Sequence, residues 1–312
     1  MVSVARAGRR AGAAAAGVLA DLALGEPPVS PHPVRAFGDL MTAVEGRLWA
    51  DDRARGVLHA ALGVAVAGAA GATLRSTAAA TYLAVAGRGL RDAAGLVGEA
   101  LGRGDLATAR DRVRALVGRD TADLGEEEIA RAVVESVAEN TVDAVVAPAL
   151  AGALGGAAGA LAYRGVNTLD STVGYRDGRY LRYGWASARL DDLANWLPAR
   201  VTAVLVAAVR PSSASEVWRA VRVDAPAHPS PNAGVAEAAF AAALGLQLGG
   251  TNAYAGRVER RARLGRGRAA ATDDIAAACR LSRDVSAALA AALAAASLGC
   301  GVATRPARRG VA

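Results

Sequence analysis

Within residues 133–150, VVESVAENTVDAVVAPAL, three carboxylates interrupt an otherwise apolar run. Read as a helix, Glu135, Glu139 and Asp143 fall at i, i+4 and i+8, so they project from nearly one face with Asn140 beside them. Like charges so placed repel, and only Arg131 precedes them on that face. A bound cation is the economical remedy, and hard oxygen ligands suit Mg²⁺, which takes one or two carboxylates together with waters and substrate phosphates. The competing reading is a solvated acidic edge on an amphipathic helix.

Other polar groups could serve the same chemistry. Asn167 and Asp170, at i and i+3, share a helix face and could address a second side of the metal or orient a substrate amide. Arg119, Arg164, Arg189 and Arg200 are candidate phosphate clamps, because a guanidinium fork binds oxyanions in bidentate fashion. Ser230 and Asn232, in His-Pro-Ser-Pro-Asn-Ala-Gly, stand before a long uncharged helical pattern and mark either an anion seat or a plain helix cap. His32, in a Pro-rich loop, is either a base or substrate contact or a structural residue, and no Ser-His-Asp or Cys-His set can be assembled around it.

Composition says what must carry these groups. Of the 312 residues, 53% are hydrophobic and 21% charged, with a mean hydropathy of +0.24. Five stretches (56–74, 76–87, 144–163, 238–256 and 285–304) are nearly free of charge and rich in Ala and Gly. Several approach the roughly 20 residues that cross a bilayer. Small residues favour closely packed helices, so an all-α polytopic membrane bundle with polar cytoplasmic loops is expected in preference to a soluble Ala-rich bundle. The first apolar stretch resembles a signal peptide, but Asp21 interrupts it, and a retained first segment is expected. Segments 56–74 and 76–87 read as a hairpin with Arg75 in the outer turn. Segment 144–163 has basic residues after it and Gly152, Gly155, Gly156 and Gly159 within it, which could break it into a re-entrant pair. β signals are scarce, and residues 1–312 read as one domain, its motifs within about 21–256 and an Ala-rich part over 270–312.

All 36 basic residues are Arg and the net charge is +7. Without Lys, Schiff-base catalysis and a P-loop ending in Gly-Lys-Ser/Thr are excluded. Arg clusters between apolar spans mark cytoplasmic loops more naturally than a nucleic-acid surface, so no nucleic-acid partner is expected. Cys279 and Cys300 have no neighbouring His or Cys and read as packing residues.

Taken in order, DLALGEPP…HPVRAFG, GRDTADL, VVESVAENTVDAVVAP, AYRGVNTLDSTVGYR, SARLDDLANWLPAR and HPSPNAGVAEAAFAAALGLQLGGTNAY resemble the CobD/CbiB family of cobalamin biosynthesis, the adenosylcobinamide-phosphate synthases. The resemblance implies a multi-pass cell-membrane enzyme with a cytoplasmic active site. It would use ATP and Mg²⁺ to join a propionate of adenosylcobyric acid to the amine of aminopropanol or its phosphate. It also leaves room for association with other corrinoid-pathway enzymes. On that reading Glu135, Glu139, Asp143 and Asp170 take metal or base roles, and Arg119 and Arg164 hold phosphate. The rivals are a membrane sensor of the related AmpE branch, without catalytic carboxylates, and a transporter whose intramembrane acids couple ions.

Overall fold

A computed structural model describes residues 2–30, 32–118, 120–175, 178–254 and 257–303, with side chains described from residue 4 to residue 300 apart from 251–260. Twelve α-helices lie among them, with one two-stranded antiparallel sheet. The helices are α1 (Val2–Leu24), α2 (Pro33–Leu48), α3 (Arg53–Leu74), α4 (Thr77–Ala84), α5 (Gly87–Gly102), α6 (Leu106–Val113), α7 (Glu126–Thr141), α8 (Ala147–Val173), α9 (Trp185–Val209), α10 (Ala214–Val223), α11 (Ala233–Leu244) and α12 (Thr272–Ala303). Strands β1 (Leu248–Tyr254) and β2 (Arg257–Leu264) form the hairpin.

Four helical segments are long and apolar enough to cross a membrane: Arg53–Leu74, Glu126–Val173, Trp185–Val209 and Thr272–Cys300. The expectation of a polytopic helical bundle holds. At 22 residues α3 is about 33 Å long, enough to traverse the hydrocarbon layer.

The longest of the four is not one straight span. At Gly156, φ is +70° and ψ −154°, a backbone that only glycine adopts without strain, and there the chain turns back on itself. A Cβ built on Gly152 would lie 3.5 Å from that of Ala160, and one on Gly159 would strike the carbonyl of Ala151. Residues eight apart in a straight helix are about 12 Å from one another. Arms 147–155 and 157–173 therefore form an antiparallel helical hairpin, and the expected break among the glycines of 144–163 is present.

Small residues set the spacing around this hairpin. Gly63 faces Leu169, Ala67 faces Gly165 and Gly71 faces Ala157, so α3 lies along the return arm down to its tip. A side chain at Gly63, Gly71 or Gly165 would collide with the partner helix, which is why this stripe carries no larger residue.

Two expected spans are absent. Segment 76–87 yields α4, eight residues long and so about 12 Å, too short to cross a bilayer, and it packs chiefly on α8 and α1 instead of pairing with α3. Segment 238–256 divides into the end of α11 and strand β1, because Gly245 takes a left-handed φ of 66° and closes the helix. The apolar character of α11 is explained by burial inside the main core, where Phe240 is fully enclosed. Cys279 packs against that core as a free thiol, as expected, and Cys300 lies against Gly8 of α1.

Candidate active site

Where α7 ends, the helix widens into a π turn over Val142–Val146. Such turns shift the side-chain phase within a helix and recur at functional sites. Glu139 and Asp143 project from this junction into a small polar cavity, about 270 Å³ of empty space when the part open to solvent is included, whose other walls are Asp191, Asp192 and Asn195 of α9 and Ser230 and Asn232 before α11.

The return arm of the hairpin completes the site. Asn167 Nδ2 donates to Asp143 Oδ2 at 3.3 Å and to Asp191 Oδ1 at 3.4 Å. Asn195 Nδ2 donates to Asp191 Oδ2 at 2.9 Å, and its own Oδ1 accepts the Tyr163 hydroxyl at 2.7 Å. Arg164 donates to Asn167 Oδ1 at 3.4 Å, which fixes the amide so that its nitrogen faces the acids. Asp170 lies close enough to Asp191, Asp192 and Glu139 to feel their charges. Glu26, from the N-terminal DLALGEPP motif, together with Asp143 supplies the carboxylate charge around Arg164. Four carboxylates, Glu139, Asp143, Asp191 and Asp192, thus line one small space with Asp170 nearby; two amides hold Asp143 and Asp191, and Arg189 pairs with Asp192 at 3.6 Å.

At the rim, Asn232 donates to the Asp192 carbonyl at 2.7 Å and accepts from Arg200 at 3.1 Å, while Arg200 lies 4.5 Å over the Trp196 ring. Ser230 Oγ accepts the amides of Asn232 and Ala233 at 3.3 and 3.1 Å. The start of α11 is therefore capped by Ser230, and its first amides are already engaged.

Several expected residues stand elsewhere. Glu135 does not join Glu139 and Asp143: the cavity covers only the last turn of α7, and one turn earlier β1 closes over the helix. There Glu135 accepts the Gly249 amide at 2.8 Å and meets Arg131 at 3.5 Å, which places it outside the cavity lining, at a contact that fastens β1 to α7. Asn140 folds back onto its own helix, donating to the Ser136 carbonyl at 2.9 Å. His32 caps α2 by accepting the Val34 amide at 3.4 Å and does not line the cavity. Arg119 lies outside the described residues, as does Arg176.

Asp191, Asp192 and Asn195 were not among the candidates read from sequence. Their signal was present in SARLDDLANW, where Asp191 and Asn195 stand at i and i+4, but a lone Asp-Asp pair beside Arg189 also reads as a salt-bridged surface.

Comparison with known proteins decides the relationship. The model of the CobD/Cbib protein family matches residues 14–282, which takes in every element of the cavity. The chain belongs to the CobD/CbiB family. Relatives named "Cobalamin biosynthesis protein CobD" include one from Geobacter metallireducens, 46% identical over 259 residues (77% of this chain, 81% of the relative). The corresponding protein of Mycobacterium tuberculosis is 44% identical over 284 residues, covering 87% of this chain and 90% of its own length. That of Chromobacterium violaceum is 42% identical over 282 residues, 85% and 89%. No solved structure matches. A role in cobalamin biosynthesis follows from this membership.

The donor set suits a hard divalent cation. All the charged ligands are carboxylates, with amide and hydroxyl oxygens at the rim, and no soft ligand intrudes. Among the described residues no three His, Cys, Asp or Glu side chains are already gathered tightly enough to ligate an ion alone. A cation here would therefore take much of its shell from water and substrate phosphate.

Proposed function

We propose that this protein forms an amide between a propionate of adenosylcobyric acid and the amine of aminopropanol or its phosphate, with ATP as the source of activation. The observation that carries the reading is the cavity where Glu139, Asp143, Asp191 and Asp192 converge within the most motif-rich part of a CobD/CbiB chain. A carboxylate does not condense with an amine unaided, so it is activated first, most simply by taking the γ-phosphoryl group of ATP with release of ADP; the amine then attacks the acyl carbon of this acyl phosphate and expels inorganic phosphate. Mg²⁺, held by Asp191 and Asp192 with Glu139 or Asp143, would neutralise phosphate charge when bound with ATP.

The chain's own groups divide the remaining work. Asn167 and Asn195 orient the carboxylates by donating to them. Whichever of Glu139 and Asp143 is not engaged by cation accepts the proton lost from the substrate ammonium. The anionic lining attracts that ammonium and orders it for attack. Arg200, at the rim beside Asn232, is placed to meet a phosphate or propionate entering from outside. ATP reaches the site from the cytoplasmic side in this scheme, and other corrinoid-pathway enzymes would exchange substrates and products with the membrane-held protein.

The test is ATP- and Mg²⁺-dependent conjugation of adenosylcobyric acid to aminopropanol and to its phosphate in membranes carrying the protein. Product from the wild type, and at least 100-fold less from Glu139→Gln or Asp191→Asn at equal membrane content, is the expected result. Equal product from all three removes the cavity as the site. No product from a folded wild type favours the sensor reading.

A further inference from the structure

At the opposite end of the hairpin from the carboxylates lies a second cavity, with about 640 Å³ of empty space open to solvent, lined by Arg6, Arg9, Arg10 and Ala13 of α1 and by Arg75, Ser76, Thr77 and Ala78 at the junction of α3 and α4. Arg6 and Arg10 are one turn apart on α1, and Arg9 flanks them, so three guanidinium groups share a face. None of the four arginines pairs with a carboxylate among the described residues, whereas the charges elsewhere are frequently paired, as at Arg179–Glu45 and Arg210–Asp284. Four like charges gathered around one hollow without an acid repel one another, and a bound anion relieves that repulsion.

The backbone at this place is also specialised. Arg75 has φ 56° and ψ −2°, the one non-glycine residue with positive φ among those described. A bulky residue held there carries strain that its surroundings must offset, and such strain concentrates at ligand clamps. The turn brings the Arg75 side chain to the same hollow as the α1 arginines, beside Ser76, which caps α4 by accepting the Ala79 amide at 3.2 Å. Arg10 additionally donates to the Leu154 carbonyl at 2.8 Å, tying the hollow to the hairpin tip.

The surroundings indicate where the anion comes from. Leu74, Leu154 and Val4 are 39%, 72% and 44% exposed, and Leu298, next to the Ser297 that packs on Gly12, is 73% exposed. A charged hollow bordered by exposed aliphatic side chains is the form expected at a membrane interface, where arginines reach the headgroups and leucines meet the acyl chains. We propose that this four-arginine pocket binds a phosphate oxyanion, and that the phosphate is the headgroup of an anionic phospholipid.

Native mass spectrometry and thermal unfolding of the detergent-purified full-length protein test this, with phosphatidylglycerol, phosphatidylcholine and inorganic phosphate as probes. The expected result is at least tenfold tighter binding of phosphatidylglycerol than of phosphatidylcholine, with an upward shift in Tm, and loss of that preference in Arg9→Gln/Arg75→Gln. Inorganic phosphate giving the same Tm shift at millimolar concentration, and displacing phosphatidylglycerol, would overturn the lipid source and keep the phosphate chemistry. Equal retention of the two lipids by the wild type, with no response to phosphate, would overturn the proposal without recourse to any variant. So would an unaltered preference in the double variant.

Discussion

A single nitrogen, Nδ2 of Asn167, reaches Oδ2 of Asp143 at 3.3 Å and Oδ1 of Asp191 at 3.4 Å, and so ties the return arm of the α8 hairpin to two carboxylates on different elements. A neutral donor shared by two anions holds them near one another without cancelling their charge. Replacing Asn167 with Ala removes both bonds. At 3.3 and 3.4 Å both bonds are long, so together they are worth about 1.5–3 kcal/mol, the range of one good hydrogen bond to a charged group, and conjugation turnover should fall by about 10- to 100-fold. Asn167→Asp adds a further carboxylate and should lose more than Asn167→Ala. Wild-type turnover in Asn167→Ala would show that the amide does not position the acids.

Glu135 and Glu139 are one turn apart on α7 and should respond to substitution in opposite ways. Glu135→Gln keeps an acceptor for the Gly249 amide but weakens the pairing with Arg131, which is itself largely buried. Its expected cost is about 1–3 kcal/mol of stability, read as a lower Tm, with turnover per folded molecule within about twofold of the wild type. Glu139→Gln should instead keep Tm and lose turnover. If Glu135→Gln abolished conjugation in folded protein, Glu135 would belong to the site after all.

Much of this arrangement is readable from sequence, and the exceptions have physical causes. The helical acids at Glu139 and Asp143 stand out because charge inside an apolar run is costly and periodic. Glu135 shares that period, and only a distant segment, Gly249 at the start of the β hairpin, shows that its charge is used for fastening. Asp191 and Asp192 fall in a stretch rich in Arg and Trp that reads as an exposed helix, and they become site residues only when α9 packs beside the return arm. The reversal at Gly156 was signalled by four glycines in eight residues, since no other residue type tolerates such a backbone. The apolar composition of α11 imitates a membrane span because a wholly buried helix and a membrane helix satisfy the same hydropathy pattern.

Tyr183, fully enclosed just before α9, has a hydroxyl with no hydrogen-bond partner among the described residues. Burial first, and then the Glu45 carboxylate, push its phenol up to about 12. The group therefore stays neutral throughout the working pH range and contributes no charge to folding there. An unpartnered buried hydroxyl costs its desolvation, so Tyr183→Phe should leave stability within about 1 kcal/mol of the wild type or raise it. Thermal unfolding in detergent measures this. A loss above about 2 kcal/mol would reveal a partner, such as an ordered water, for the hydroxyl.

The reversal at Gly156 makes a covalent prediction. A Cβ on Gly152 would stand 3.5 Å from that of Ala160, at the short end of the separation that a disulfide requires. In an uninterrupted helix the same two positions would be about 12 Å apart and unable to bond. The Gly152 side chain would also meet Thr81 Oγ1 at 2.5 Å, so the pair Gly152→Cys/Ala160→Cys belongs in a Thr81→Ala background with Cys279 and Cys300 replaced by Ser. Mild oxidation in membranes should then block both thiols from maleimide labelling, and reduction should restore them. Thiols that stay fully reactive after oxidation, in protein that retains its Tm, would mean that 147–173 runs as a single straight helix and crosses the membrane once. The carboxylate cavity would not survive that outcome, because Asn167 comes level with Asp143 only when the chain turns back between them.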